Sequence, residues 1–183
     1  APVNDVVSTS EGMILGPSNS TGTNDYISIG DLEMGGNPVS FELYLKISNP
    51  NNNIYLYIFG TDNHDIAIRE YSNNKRLQIY SGDGTNSATT STSAILEYDS
   101  FMHLVFTISE NDLRIYKNGV LIENYLKNTH KGDRIKQPER RTYRTITLGG
   151  DIATGGAWNN FMQGVISYFR IWDGRALSAS EVG

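Results

Sequence analysis

The chain's 183 residues are enough for one well-cored domain, and 19% charged residues with 18 Gly and 5 Pro describe a turn-rich globular protein rather than a disordered one. Cys is absent, which excludes disulfides, thiolate metal sites and cysteine nucleophiles, and no window approaches the roughly eighteen apolar residues of a membrane-spanning helix. The net charge of −5 is uneven: between Lys127 and Arg144 seven Lys and Arg face two acids, so this stretch carries +5 and the remainder −10.

Short runs rich in Val, Ile, Tyr, Phe and Thr are parted by Gly, Asn, Asp and Ser clusters. They predict strands at 26–29, 39–47, 54–60, 66–71, 76–80, 95–98, 101–109, 112–117, 120–125, 144–148 and 162–172. In 39–47, Val39, Phe41, Leu43, Leu45 and Ile47 alternate with Ser40, Glu42, Tyr44 and Lys46. Such period-two patterning buries one face of an antiparallel sheet against a second sheet. Asn118-Gly119, between Leu113–Lys117 and Val120–Ile122, predicts a hairpin with a type I′ turn, because both residues tolerate positive φ. Ser178-Ala-Ser-Glu181 reads as a capping box that opens a short helix. No long helical period and no solenoid-length repeat is present. The expectation is therefore all-β: a two-sheet antiparallel sandwich with a short C-terminal helix, forming a single domain over 1–183. A start without Met and an abrupt stop at Glu181-Val182-Gly183 predict a module of a larger protein.

Four stretches, in order, carry a resemblance: Asn24-Asp-Tyr-Ile-Ser-Ile-Gly30; Phe101-Met-His103-Leu-Val-Phe-Thr107; Leu113-Arg-Ile-Tyr116-Lys-Asn118-Gly119-Val-Leu; and Phe161 through Arg170-Ile-Trp-Asp-Gly-Arg-Ala-Leu177-Ser178-Ala-Ser-Glu181. Together, from about residue 24 to 182, they resemble the laminin-G-like and pentraxin-like branch of the concanavalin A-type jelly rolls. Phe101 stands where that family usually has Trp. The resemblance implies a jelly roll whose N- and C-terminal strands pair, a structural role for His103, and a place outside the cell, at a cell surface or on a virion.

Enzymes also use this fold. A retaining glucanase of this type needs carboxylates at alternate positions of one strand, about 5 Å apart across the cleft. No strand here offers Glu-x-Asp-x-(x)-Glu, and Glu42 stands alone between Ser40 and Tyr44. The Arg-rich and Gln-x-His strands of alginate-type lyases are missing as well, so a non-catalytic module is expected. His103 shares a strand face with Phe101 and Val105 and reads as a packed, hydrogen-bonded core residue, while His64 and His130 have no metal-ligand partner at useful spacing.

Hard oxygen ligands on rim loops suit Ca²⁺. In relatives of this fold the ion lies between the opening strand and a late loop, which here points to Asp25 and Asp31 with Asp151. The same residues also make ordinary turns. For a glycan, aromatic faces beside amides and carboxylates are the matching chemistry. Trp158, Asn159 and Asn160 offer it on a Gly-rich loop, and Tyr55 and Tyr57 with Phe59 form a second row near Tyr80 and Tyr44 that reads equally as a half-buried sheet face. The basic belt 127–144, with Arg140 and Arg141, would attract an anionic polysaccharide or an acidic protein partner, and equally suits a solvated loop that guards a sheet edge. Nucleic acid is disfavoured by the acidic remainder and by the lack of any nucleic-acid motif. The leading expectation is a lectin-like recognition module. The alternatives are a protein–protein adhesion module using the belt, or an accessory domain of a polysaccharide-degrading enzyme.

Overall fold

The computed structural model describes residues 2–3, 7–16, 25–48, 54–59, 66–71, 74–82, 87–126, 137–150 and 161–183. Its strands, in chain order, are β1 (Pro2–Val3), β2 (Val7–Thr9), β3 (Gly12–Leu15), β4 (Tyr26–Met34), β5 (Val39–Ile47), β6 (Ile54–Phe59), β7 (Ile66–Tyr71), β8 (Arg76–Gly82), β9 (Ser87–Ala94), β10 (Phe101–Ile108), β11 (Asp112–Lys117), β12 (Val120–Leu126), β13 (Arg141–Leu148) and β14 (Gly164–Asp173), followed by helix α1 (Ala179–Val182). Among the described residues they form two seven-stranded sheets: a first in the order β1-β4-β13-β6-β7-β8-β9 and a second in the order β12-β11-β10-β5-β14-β3-β2. The named pairs are antiparallel, and the expected jelly-roll sandwich is the observed fold.

The alternation in β5 decides the packing. Val39, Phe41, Leu43, Leu45 and Ile47 are fully buried, and Met102, Leu104, Phe106 and Ile108 of β10 lie beside them. Across the sandwich they meet Ile66, Ile68, Leu77, Ile79, Ile146 and Leu148 of the first sheet in one cluster. Each such side chain contributes about 1.5–3 kcal/mol on burial.

The C-terminal strand β14 pairs with β5 on one side and with the N-terminal β3 on the other. Beyond it the chain folds back over the outer face of the second sheet. Leu177 and Val182 there cover Val105 and Tyr116, with Trp172 packed alongside. Ser40 fastens this segment, its hydroxyl donating to the Arg175 carbonyl (2.9 Å) and accepting from the Leu177 amide (3.0 Å). The cap expected at Ser178 is present, the Ser178 amide reaching the Glu181 carboxylate at 2.8 Å. The Asn118-Gly119 turn is present too, with φ of 49° and 79°.

Several boundaries differ from the sequence expectation. The strand expected at 95–98 lies instead at 87–94, in a run of Ser, Thr and Ala whose low apolar content hides it. Thr90 and Thr92 occupy buried positions there, and the Thr92 hydroxyl serves the backbone by accepting from Leu77 N at 2.9 Å. At 95–96 the backbone leaves the ladder, both amides donating to the Lys75 carbonyl, and Tyr98 keeps an isolated bridge to Ile47. The short strands β1, β2 and β3 carry too few residues to show a period. His103 is hydrogen-bonded as expected but half-buried on the outer face of the second sheet, not in the core.

At the start of β14, Gly164 has φ of 144°, and a Cβ there would run into the Lys46 carbonyl oxygen of β5. Gly164→Ala should therefore destabilise the protein by about 3 kcal/mol or more through strain and backbone displacement. Urea unfolding monitored by Trp fluorescence checks this.

Candidate functional site

The register of the first sheet aligns two rows across its strands. One runs Tyr55 (β6), Arg69 (β7), Gln78 (β8), Ser91 (β9); the next runs Thr147 (β13), Ile58 (β6), Ala67 (β7), Tyr80 (β8), Thr89 (β9). Core residues Ile68, Leu77, Ile79, Ile146 and Leu148 alternate with these positions, so Arg69, Gln78, Tyr80 and Thr147 belong to the outer face. Three of them form one cluster. The Gln78 side-chain carbonyl accepts from Arg69 Nε (2.8 Å), Arg69 Nη2 (2.5 Å) and the Tyr80 hydroxyl (2.7 Å). The Arg69 guanidinium lies 4.9 Å from the Tyr80 ring centroid, and the ring packs on Ala67. The result is an aromatic ring packed on Ala67 with a guanidinium over it and an amide bonded to both, held rigidly on a sheet. Such a set can stack against an apolar ligand face and hydrogen-bond its hydroxyls.

A shoulder rises at the other end of the second row. Thr147 faces outward yet is fully buried, because its hydroxyl donates to the Gly150 carbonyl (2.7 Å) in the turn that follows β13. The Met162 amide donates to the Gly149 carbonyl (2.7 Å), which holds the residues leading into β14 beside the turn after β13. The Phe161 ring stands 6.5 Å from that of Tyr26, and a Cβ on Gly150 would strike it.

The outer face of the second sheet is organised differently. Glu42 is only 7% exposed. Its carboxylate takes His103 Nε2 (2.7 Å), the Tyr168 hydroxyl (3.2 Å) and Arg170 Nη1 (3.4 Å), joining β5, β10 and β14. Tyr44 stacks against Phe101 (5.1 Å, 17°) and Tyr168 (5.7 Å, 22°), so these rings spend their faces on one another. Burial, followed by the Glu42 charge, raises the pKa of Tyr168 above the usual phenol range. Burial likewise raises Tyr98, which donates to Glu70, and Tyr125, which stands near Glu123. This face reads as a clasp across the central strands.

The predicted site residues fall as follows. Tyr80 is in the outer-face cluster. Tyr55 has its register position opposite Arg69, whereas a register shift sets Tyr57 opposite Ile68 and Leu148, both core residues. Arg140 pairs with Glu33 (3.1 Å) and Asp173 (3.5 Å), and the Arg141 guanidinium lies 5.0 Å from the Tyr143 ring. Asp25 is buried, accepting from the Gly16 amide at 2.8 Å, and Asp31 is exposed on β4. Among the described residues no three His, Asp or Glu side chains stand close enough to hold a metal ion. Trp158, Asn159, Asn160 and Asp151, like belt residues 127–136, lie outside the described residues. Arg69 and Gln78 were missed. The alternation of Gln78 with Tyr80 was a usable signal, but only the β7–β8 register reveals that Arg69 faces Gln78.

A laminin G-like family model, described as the concanavalin A-like lectin/glucanases superfamily, matches residues 21–183. Among solved structures, domain 4 of AbnA, an extracellular arabinanase of Geobacillus stearothermophilus in complex with arabinotriose, is similar at 18% identity and TM-score 0.66, over 97% of this chain and 78% of that one. The CBM40 domain of the Ruminococcus gnavus IT-sialidase, bound to α2,3 sialyllactose, is 18% identical with TM-score 0.62 over 100% and 96%. A heptameric SAP-like pentraxin from Limulus polyphemus is 16% identical with TM-score 0.62 over 92% and 77%. No curated protein sequence matches the chain.

Two outcomes are expected from this geometry. Glu42→Ala should lower stability by about 1–2 kcal/mol, because His103, Tyr168 and Arg170 lose their shared acceptor; urea denaturation measures it. A phenol whose folded pKa is raised contributes stability that is complete below its unfolded value near 10 and is lost as pH rises past it. Tyr98 and Tyr125, the most strongly shifted, should therefore ionise only as the protein unfolds at high pH, giving a late, cooperative step in an absorbance titration that coincides with loss of the circular dichroism signal.

Proposed function

Because the chain belongs to the concanavalin A-like lectin/glucanase superfamily, we propose that it is a non-catalytic carbohydrate-binding module that takes a glycan on the outer face of the first sheet, at Tyr80, Gln78 and Arg69. The observation that carries this reading is the cluster itself, a ring, an amide and a guanidinium fixed by bonds of 2.5–2.8 Å at adjoining register positions. Sugars present apolar C–H faces that stack on rings and hydroxyls that pair with planar amide and guanidinium groups. Two similar folds observed with arabinotriose and with sialyllactose support the same class of ligand. Arg69 suits acidic as well as neutral sugars, since guanidinium binds carboxylate in a bidentate fork. The reading includes a secreted or surface location, and no helix among the described residues is long and apolar enough to cross a membrane.

Calcium stays in the proposal through Asp151, which lies outside the described residues; Asp31 sits opposite the Tyr143–Ile146 stretch of β13, four residues along β4 from the Ile27–Leu148 pair, and is set apart from that end of the strand. Asp25 is a poor ligand, because its carboxylate is buried and already bonded to Gly16. The described residues do not by themselves supply a shell.

A glycan array run in calcium and again in EDTA, with wild type and Tyr80→Ala, tests the reading. Selective binding by wild type, weakened about tenfold or more in Tyr80→Ala at unchanged melting temperature, is the expected result. Loss of the signal in EDTA would add the metal to the site. A blank array in both buffers would overturn the glycan reading.

A further inference from the structure

Hydrogen bonding at the outer-face cluster runs in one direction. Three donors, Arg69 Nε, Arg69 Nη2 and the Tyr80 hydroxyl, converge on one end of the Gln78 amide, and only its oxygen can receive them. A carbonyl oxygen has two lone pairs, so these bonds leave it no capacity for a ligand. The other end of the same amide, Nε2 with its two N–H groups, is turned away from the three donors. That end is what the half-buried Gln78 side chain offers to a ligand. A guanidinium likewise has donors and no acceptor, and the Tyr80 hydroxyl has spent its one hydrogen on Gln78. Because the Arg69 guanidinium and Ala67 already lie against the Tyr80 ring, the polar groups carry the choice of ligand.

Charge on the same face agrees. Strands β6 to β9 hold two cationic side chains, Arg69 and Arg76, and one acid, Glu70. Arg76 is exposed and precedes the buried Leu77, so it shares the outer face with Gln78, about 7 Å away along β8. Glu70 is fully buried on the core side, where its carboxylate accepts from the Tyr98 hydroxyl and the Lys75 amide. These strands thus set two guanidiniums and no carboxylate outward, in a chain whose net charge is −5.

We propose that the ligand is an acidic sugar whose carboxylate is received by Gln78 Nε2 beside the Arg69 guanidinium, with Arg76 adding to the attraction. This rests on the glycan reading above and names its ligand class. A carboxylate only accepts hydrogen bonds, so it matches groups that only give them. A neutral hydroxyl also brings a hydrogen, for which neither Gln78 nor Arg69 has an acceptor.

The discriminating experiment titrates matched acidic and neutral sugars by calorimetry. The pairs are galacturonan oligosaccharides against the same chains methyl-esterified, and α2,3-sialyllactose against lactose, with sulfated galactan as a separate arm. Wild type is compared with Gln78→Glu and Arg76→Gln. The first keeps an oxygen for Arg69 and Tyr80 but puts a second acceptor and a negative charge where the two N–H groups were, and the second removes an exposed charge. The expected result is that an acidic member binds about tenfold or more tighter than its neutral counterpart, and that Gln78→Glu abolishes this preference at unchanged melting temperature. Arg76→Gln and added salt should each weaken acid binding about threefold. Equal or tighter binding of the neutral members would overturn the inference and leave the glycan reading intact. Tighter binding of sulfated galactan than of either acid would overturn the carboxylate as well. An acid preference that Gln78→Glu leaves unchanged would move the site elsewhere and overturn the inference too. Should Gln78→Glu fail to fold, an acid affinity unchanged in Arg76→Gln would do the same. No binding to any sugar, with a blank array, would remove both.

Discussion

Strand β5 carries the structure because it is needed on both of its faces. Toward the core it supplies Phe41, Leu43 and Leu45, all fully buried against the first sheet. Toward the outside it supplies Ser40 and Glu42, which are also buried, Ser40 under the C-terminal segment and Glu42 under His103, Tyr168 and Arg170. A polar group taken out of water must find partners or cost free energy. Ser40 and Glu42 therefore dictate what lies over them as firmly as the apolar face dictates the core. The neighbours β10 and β14 must sit where they do, because each brings side chains that complete those bonds.

That demand separates the two outer faces. On the second sheet the face is occupied by its own structure: charges paired, rings stacked face to face, and Leu177 with Val182 laid over Val105 and Tyr116. On the first sheet the cluster at Arg69, Gln78 and Tyr80 ties two neighbouring strands rather than three. It presents a ring together with groups suited to hydroxyls. The same sandwich thus closes the chain on itself over the second sheet, while the first sheet carries the cluster proposed to bind a glycan.

The turn after β13 is fixed by contacts of its own. Thr147 would be an ordinary exposed sheet residue, but its hydroxyl holds the Gly150 carbonyl, and the glycines at 149 and 150 let the chain turn closely over it. Gly149 has φ of 78°, a conformation most residues avoid, and a side chain on Gly150 would meet Phe161. A small local requirement of the backbone buries an outward-facing threonine at the end of β13.

Period and turn chemistry were enough, in the sequence alone, for the all-β class, for β5 and its two faces, for the Asn118-Gly119 hairpin and for the capped helix at Ser178. These are local properties, written into residues a few positions apart. Strand β9 was hidden, because Thr90 and Thr92 are buried with no apolar period to mark them, Thr92 through a hydroxyl that accepts from the Leu77 amide and donates to the Ser93 carbonyl. The candidate site was half legible. Tyr80 could be named as an aromatic on a strand, but Arg69 reaches it only through the register of β7 with β8, and Tyr55 parts from Tyr57 only through a register shift on β6. Glu42, read in sequence as a lone carboxylate, gains its partners from strands 61 and 126 or more residues away. Alternation along a strand is a local property of the chain, whereas the choice of which outward side chains become neighbours belongs to strand pairing, and strand pairing is settled by the packing of the whole sandwich.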